Sequence, residues 1–344
     1  MIPLEGRKIA LVGGAGFIGH NLALELARRG AKVDIVDSLQ VNNLLAYATK
    51  MPDLFNRDLY HRIIHERLDM ILGAGIGLHP IDAREYHALG EVLNNIKPQV
   101  LIHLAAVAHA GKSNKDPYST FDHSLRTLEN SLDCARGVME HFIFLSSSMV
   151  YGNFRTEEVR EDHVLEPIGI YGALKVGGEK LVIAYQQVFD LPYTIIRPSA
   201  LYGPRCVSRR VGQVFIENAM SGAKLTVAGD GEEKLDFTYI DDLIEGICLA
   251  IERPEARNQI FNLTFGRGRS LNEILDIVLR HFPDAAIERV ERDALMPIRG
   301  TLNTDKAHEL LGFRPQYPIE RGFERYIDWY RRLVQAGPWK GSAS

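Results

Sequence analysis

Apolar and polar positions along the first two hundred residues form alternating strand-like and helix-like runs. Short apolar runs occur at 8–13, 32–37, 76–82, 100–104, 142–146 and 193–197. Runs of this length with little polar alternation predict strands covered on both faces. Between them, apolar residues recur at three- and four-residue spacing, as in Ile18, Leu22 and Leu26, which lines up one helix face. This alternation predicts right-handed βαβ crossovers and an α/β fold, a doubly wound parallel sheet with helices on both faces. Residues 39–75 are too long and too polar for a simple crossover and are expected to form a partly helical insertion at the sheet edge. After Arg197 the regularity breaks at Pro198, Gly203 and Pro204. A mixed pattern follows, with helices expected at 213–220, 242–251 and 272–281 and a strand at 224–228. The expected organisation is therefore residues 1–197 as the doubly wound domain and 198–336 as a smaller mixed α/β C-terminal domain. That second part is free to return strands or helices to the first. Residues 337–344, small and polar, are expected to be frayed.

Composition narrows the class. The 344 residues are 46% hydrophobic, enough for a sizeable core, and 40 Lys+Arg against 44 Asp+Glu leave a net charge of −4. That balance speaks against nucleic-acid binding and a basic membrane surface. No apolar run approaches the roughly 18 residues of a membrane span, and the first residues lack a signal-peptide pattern. A cytoplasmic protein is expected. Cys134, Cys206 and Cys248 are scattered and read as buried small hydrophobes. No metal site is expected.

The run at 8–13 leads directly into GGAGFIG, with glycines at 13, 16 and 19, and then into a helix. Such a turn needs a first glycine for its sharpness, a second for close approach of a pyrophosphate and a third for helix–strand packing. A helix N-terminus then faces the anion. The second strand ends in Asp37, placed to accept from the adenosine ribose hydroxyls and to repel a 2′-phosphate, and Ser38 follows it. No arginine follows in Ser38-Leu39-Gln40, so NAD is favoured over NADP. Asp82, with Ala83 after it, ends the third strand and is placed either to meet the adenine amino group or to cap the next helix.

Tyr171 and Lys175 stand at i and i+4, on one helix face. A free phenol has a pKa of about 10 and is a poor base at neutral pH, but a neighbouring cation stabilises its anion. The Ser146-Ser147-Ser148 run closes a strand at its carboxyl end, where doubly wound sheets bind ligands.

With VGGAGFIG, HLAA at 103–106, SSSMVYG at 146–152, YGALK at 171–175 and RPSALYGPR at 197–205, the chain resembles the extended short-chain dehydrogenase/reductases. DFTYIDDL at 236–243 and TDKAHELLGF at 304–313 point the same way, toward the NAD-dependent nucleotide-sugar epimerase/dehydratase branch. The resemblance spans residues 8–330. It implies a Rossmann fold with a substrate-binding C-terminal part and NAD held by Gly13, Gly16, Phe17, Ile18, Gly19, Asp37, Ser38, Asp82, Ala83, Leu104, Ala105 and Ala106. It implies Tyr171 as base, Lys175 as its partner and nicotinamide-ribose ligand, and Ser147, four before Tyr151, as the hydroxyl assisting at the sugar oxygen. A hydride would pass from the sugar C4 to NAD and back.

The positions after Ser147 bear on which reaction follows. Dehydratases of this branch usually place an Asp-Glu pair there, because elimination needs an acid and a base. This chain has Ser148 and Met149, the epimerase-like version, so a UDP-sugar 4-epimerase is the lead expectation. A 4,6-dehydratase, a 4-keto reductase, a 4-dehydrogenase and a non-enzymatic NAD-sensing regulator stay as alternatives. The nucleoside-diphosphate sugar is expected to meet Ser148, Arg205, Thr226, Lys234 and Arg299, with Arg209 and Arg210 as further candidate cations. Thr226 sits in a segment resembling the one that clamps the base. The chain departs from relatives at Ala200 and Ser124, where asparagine is usual, and at Leu235, where arginine is usual. Gly300 falls near a position that gates the sugar C2 side, where a small residue would leave room for an N-acetyl group. Asp241 and Asp242 read as helix caps, and His103 and His109 as structural histidines, with a reach of His109 to the substrate as the lesser alternative. The resemblance also implies a homodimer, paired through helices within 117–137 and 169–189.

Overall fold

The computed structural model describes residues 1–48, 56–107 and 110–336. Its centre is a seven-stranded parallel sheet in the order Gln259–Asn262, Tyr193–Arg197, His141–Leu145, Val100–His103, Lys8–Val12, Lys32–Val36, Gly77–His79. The doubly wound α/β expectation is borne out. The strand order reverses beside Lys8–Val12, which makes the crevice at its carboxyl end the ligand position of such folds.

Both faces of the sheet are dry, which explains the unalternated strands. Ile9 and Leu11 pack toward the helices Phe17–Arg28, Arg57–Gly73 and Ile240–Glu252. Ala10 and Val12 point to the other side, against Leu89, Leu93, Leu128, Leu132 and Val182 of the helices Tyr86–Ile96, Thr127–Ala135 and Gly169–Phe189.

The third strand is shorter than its run implied. Pro80 follows Gly77–His79, and a proline offers no N–H to continue the ladder. The insertion holds a short helix, Leu44–Ala48, and the long Arg57–Gly73. Beyond residue 198 the strand Gln259–Asn262 rejoins the main sheet beside Tyr193–Arg197, while the pair Leu225–Ala228 and Ile287–Val290 stands apart. Residues 337–344 and His109 lie outside the described residues. Among the described residues no helix is long and apolar enough to cross a membrane.

Two smaller readings are corrected. Asp241 and Asp242 lie inside the first turn of Ile240–Glu252, whose N-cap is Tyr239. Asp242 instead accepts from the backbone N–H groups of Gln316 (2.6 Å) and Tyr317 (3.0 Å), tying down a distant loop. Cys206 and Cys248 are buried, but Cys134 is only half-buried.

Candidate active site

Two cavities meet at the carboxyl ends of the central strands, sharing Ile18, Leu104, Ala106 and Arg210. The first is bounded by the glycine turn. At Gly13 (φ +78°) a Cβ would lie 2.5 Å from the Ala105 nitrogen, and at Gly19 it would lie 2.5 Å from Gly14 Cα. Backbone packing therefore demands those two glycines. A Cβ at Gly16 would meet only the Gly13 carbonyl, at 3.7 Å, so its bareness leaves space for a ligand above the helix N-terminus.

Asp37 lines this cavity and accepts from the backbone N–H of Ala15 (2.9 Å) and Leu39 (2.8 Å). Burial pushes its carboxyl up, and those two N–H groups and the Arg67 charge pull it back. Ser38, Asp82, Ala83, Leu104, Ala105 and Ala106 complete the wall. Asp82 caps no helix, since Tyr86–Ile96 is preceded by Glu85. Arg84 holds its carboxylate at 2.6 Å and keeps its pKa low.

The second cavity, of about 480 Å³, has Ser147, Ser148, Met149, Tyr171 and Lys175 at one end. Ser147 starts a single helical turn, Ser148–Tyr151, and its Oγ accepts from the Met149 N–H at 3.2 Å. Tyr171 and Lys175 come from the first two turns of Gly169–Phe189. Burial pushes the Tyr171 phenol up, while Arg210 and the nearby Ser147 hydroxyl pull it down. Lys175 is 6% exposed and donates from Nζ to the Leu145 carbonyl at 2.5 Å. Its ammonium lies 5.9 Å from the Tyr171 ring centroid. Burial lowers its pKa to about 8, against the attraction of Glu179 one helical turn on.

Behind these groups runs a buried network. Ser146 donates to Glu179 (2.5 Å), Arg197 grips both Glu179 oxygens (2.9 and 2.7 Å), and Arg197 also reaches Tyr151 (2.9 Å). Tyr151 in turn donates to Asn262 at 2.7 Å. This ties the serine strand, the Tyr171 helix and the returning strand together. His103 is fully buried beside Ser131 (3.1 Å), and burial drives its pKa to about 3, so it stays neutral.

Charged groups also line the second cavity, among them Arg210, which is near enough to Tyr171 to lower its pKa. Thr226, Glu233, Arg210, Arg292 and Arg299 line it. Arg210 and Arg299 each keep a buried Nε without a partner. Arg292 donates to Glu233 at 3.3 Å, leaving the other Glu233 oxygen unpartnered.

Two residues expected here are elsewhere. Arg205 does not line the cavity; its Nε is taken by Glu66 at 2.7 Å. Lys234 is exposed on the strand Lys234–Asp236, whose alternation turns Leu235 inward and Lys234 out. Gly300 does not line the cavity, and a Cβ there would sit 2.7 Å from the Glu157 carbonyl, a backbone contact that by itself accounts for the glycine. Ala200 lines the cavity with a left-handed φ of 36°, and the Ser124 hydroxyl is buried without a partner. Arg292 and Glu233 were not singled out from the sequence. They arrive from distant loops that carry no periodic signal.

A family model described as the NAD dependent epimerase/dehydratase family matches residues 9–264. The chain belongs to this family. It is an NAD-dependent enzyme of the extended short-chain dehydrogenase/reductase type, as its motifs led us to expect. Protein CapI of Staphylococcus aureus is 26% identical over 343 residues, covering 94% of this chain and 98% of that protein. A probable UDP-glucuronate 4-epimerase of Rhizobium meliloti is 26% identical over 345 residues, with 93% and 96% covered. Among solved structures, a UDP-glucose 4-epimerase of Thermotoga maritima with UDP-glucose superposes at a TM-score of 0.79. It shares 25% identity over 95% of this chain and 99% of that one. The first cavity fits the family's cofactor. The space left by Gly16 faces a helix N-terminus, and the Asp37 carboxylate on the same cavity wall is an acceptor of the kind ribose hydroxyls need.

Proposed function

We propose that the chain is a nucleotide-sugar 4-epimerase, with a UDP-sugar as substrate. The observation that carries this reading is the company Tyr171 keeps. It shares one cavity end with Ser147 and Lys175, while Met149, lining the same wall, has no proton to give or take. NAD, which Gly13, Gly16 and Asp37 would help to hold, would when bound supply a hydride acceptor and donor at the sugar C4. Tyr171 takes the proton of the C4 hydroxyl, and Ser147 holds the same oxygen. Lys175, charged below pH of about 8, stabilises the phenolate. Return of the hydride to the opposite face of the 4-keto sugar would invert the centre, with Tyr171 giving the proton back to the C4 oxygen. Arg210 and Arg299, cations without carboxylate partners among the described residues, are the groups we assign to the diphosphate. Thr226, on the wall of the same cavity, is the residue we assign to the base. The names of the relatives, both UDP-sugar epimerases among them, favour uridine.

Proton NMR of turnover in deuterium oxide tests the reaction. A C4 epimer free of carbon-bound deuterium is expected. Deuterium at C5 with a keto-deoxy product would instead mean elimination, and Met149 would have misled us.

We also propose a homodimer through the segments 117–137 and 169–189. Tyr118, Phe121, Leu181, Val188 and Phe189 expose apolar surface there, with Tyr118 82% exposed. Light scattering is expected to give twice the chain mass, and a monomer at micromolar concentration would refute the pairing.

A further inference from the structure

The insertion before the third strand carries an arginine that the reaction does not use. Arg67, on Arg57–Gly73, is 1% exposed, and burial lowers its pKa only to about 10, so it remains charged at neutral pH. Its Nε donates to the Arg205 carbonyl at 2.9 Å and its Nη2 to the same oxygen. Its Nη1 is buried and has no partner. An unpaired donor on a buried cation is costly, so its retention points to an acceptor that arrives from outside the chain.

The surroundings identify that acceptor. Arg67 lines the cofactor cavity together with Gly13, Gly16 and Phe17 of the turn. It forms no ion pair with Asp37, whose own oxygens hold the Ala15 and Leu39 N–H groups. The remaining arginine on this cavity is Arg210, which also faces the sugar site. We propose that Arg67 donates from Nη1 to the pyrophosphate of the bound dinucleotide. The same guanidinium, through the Arg205 carbonyl, seats the loop whose Val207 and Ser208 wall the cofactor cavity. The insertion thus supplies a phosphate ligand that the glycine turn lacks, whichever sugar reaction follows.

Equilibrium dialysis of the full chain with ADP-ribose and with adenosine tests this, comparing wild type with Arg67→Met and Arg67→Lys. A hydrogen bond to a charged group supports at least a roughly tenfold loss of ADP-ribose affinity in Arg67→Met. Adenosine, lacking phosphate, is expected to bind within about twofold of wild type, and Arg67→Lys to recover part of the ADP-ribose loss. Equal losses for both ligands would make Arg67 a structural strut and overturn the proposal. If Arg67→Met does not fold, a crystal structure of the wild-type holoenzyme decides. Nη1 within hydrogen-bond distance of a phosphate oxygen supports the assignment, and Nη1 on water, ribose or protein refutes it.

Discussion

Replacing Tyr171 with phenylalanine is expected to lower turnover about a thousandfold while NAD stays bound. A positioned acid–base group contributes roughly 10²–10⁴ in rate, and in the proposed mechanism one oxygen carries that role. The substitution keeps the ring against its neighbours and removes only the hydroxyl. The electrostatics also predict a pH signature. Burial pushes the phenol up and Arg210 pulls it down in the free enzyme; in the proposed mechanism Lys175, whose ammonium lies 5.9 Å from the ring centroid, supplies the second cation. Lys175 is the weaker of these guarantees. Burial favours its neutral amine, so raising the pH through about 8 removes its charge. Wild-type kcat/KM should therefore fall on the alkaline side near that value. A Tyr171→Phe variant with more than a tenth of wild-type turnover and intact NAD content would remove Tyr171 from the role of base.

What the sequence made legible was local. The strands at 8–13, 32–37 and 142–146 were within a residue or two of their observed ends, because a buried strand's apolar run is its own signature. Tyr171 and Lys175 were recognisable as a pair because a single helix fixes their relation. The glycine turn was equally plain, since three consecutive constraints fall within seven residues. The arginines proposed for the diphosphate were not. Arg205 and Arg210 stand five apart in a loop where Arg205 (φ +66°) and Arg209 (φ +54°) both adopt left-handed backbone. Two such reversals decouple side-chain direction from sequence position, and Arg210 reaches the cavity instead of Arg205. Glu233 and Lys234 differ by one residue, which at the start of a strand exchanges inside for outside. Arg299 and Arg292 meet Glu233 only through the tertiary fold. Arg67, more distant still, sits in an insertion that carried no motif.

The second large effect concerns stability rather than chemistry. Glu179→Ala is expected to cost about 3–5 kcal/mol, because it strands Arg197 as an uncompensated buried charge. Both side chains of that pair are at most 2% exposed. Arg197 would keep Tyr151 and the Glu161 carbonyl as acceptors (2.9 Å each), but neither carries the neutralising charge. Removing both partners together, as Glu179→Leu with Arg197→Met, should cost less than the sum of the two single changes, since no buried charge is left behind. Urea unfolding followed by circular dichroism reads each cost, and additive single effects would show that the pair is not energetically coupled. Glu179→Gln separates the pair's structural part from its electrostatic one. It retains an acceptor for Ser146 and Arg197 yet withdraws the negative charge that supports the Lys175 ammonium. The alkaline limb of kcat/KM should then move to lower pH, because less attraction opposes the burial that already favours the neutral amine. A limb that stays in place would locate the role of Glu179 wholly in packing and would leave Lys175 charged by other means.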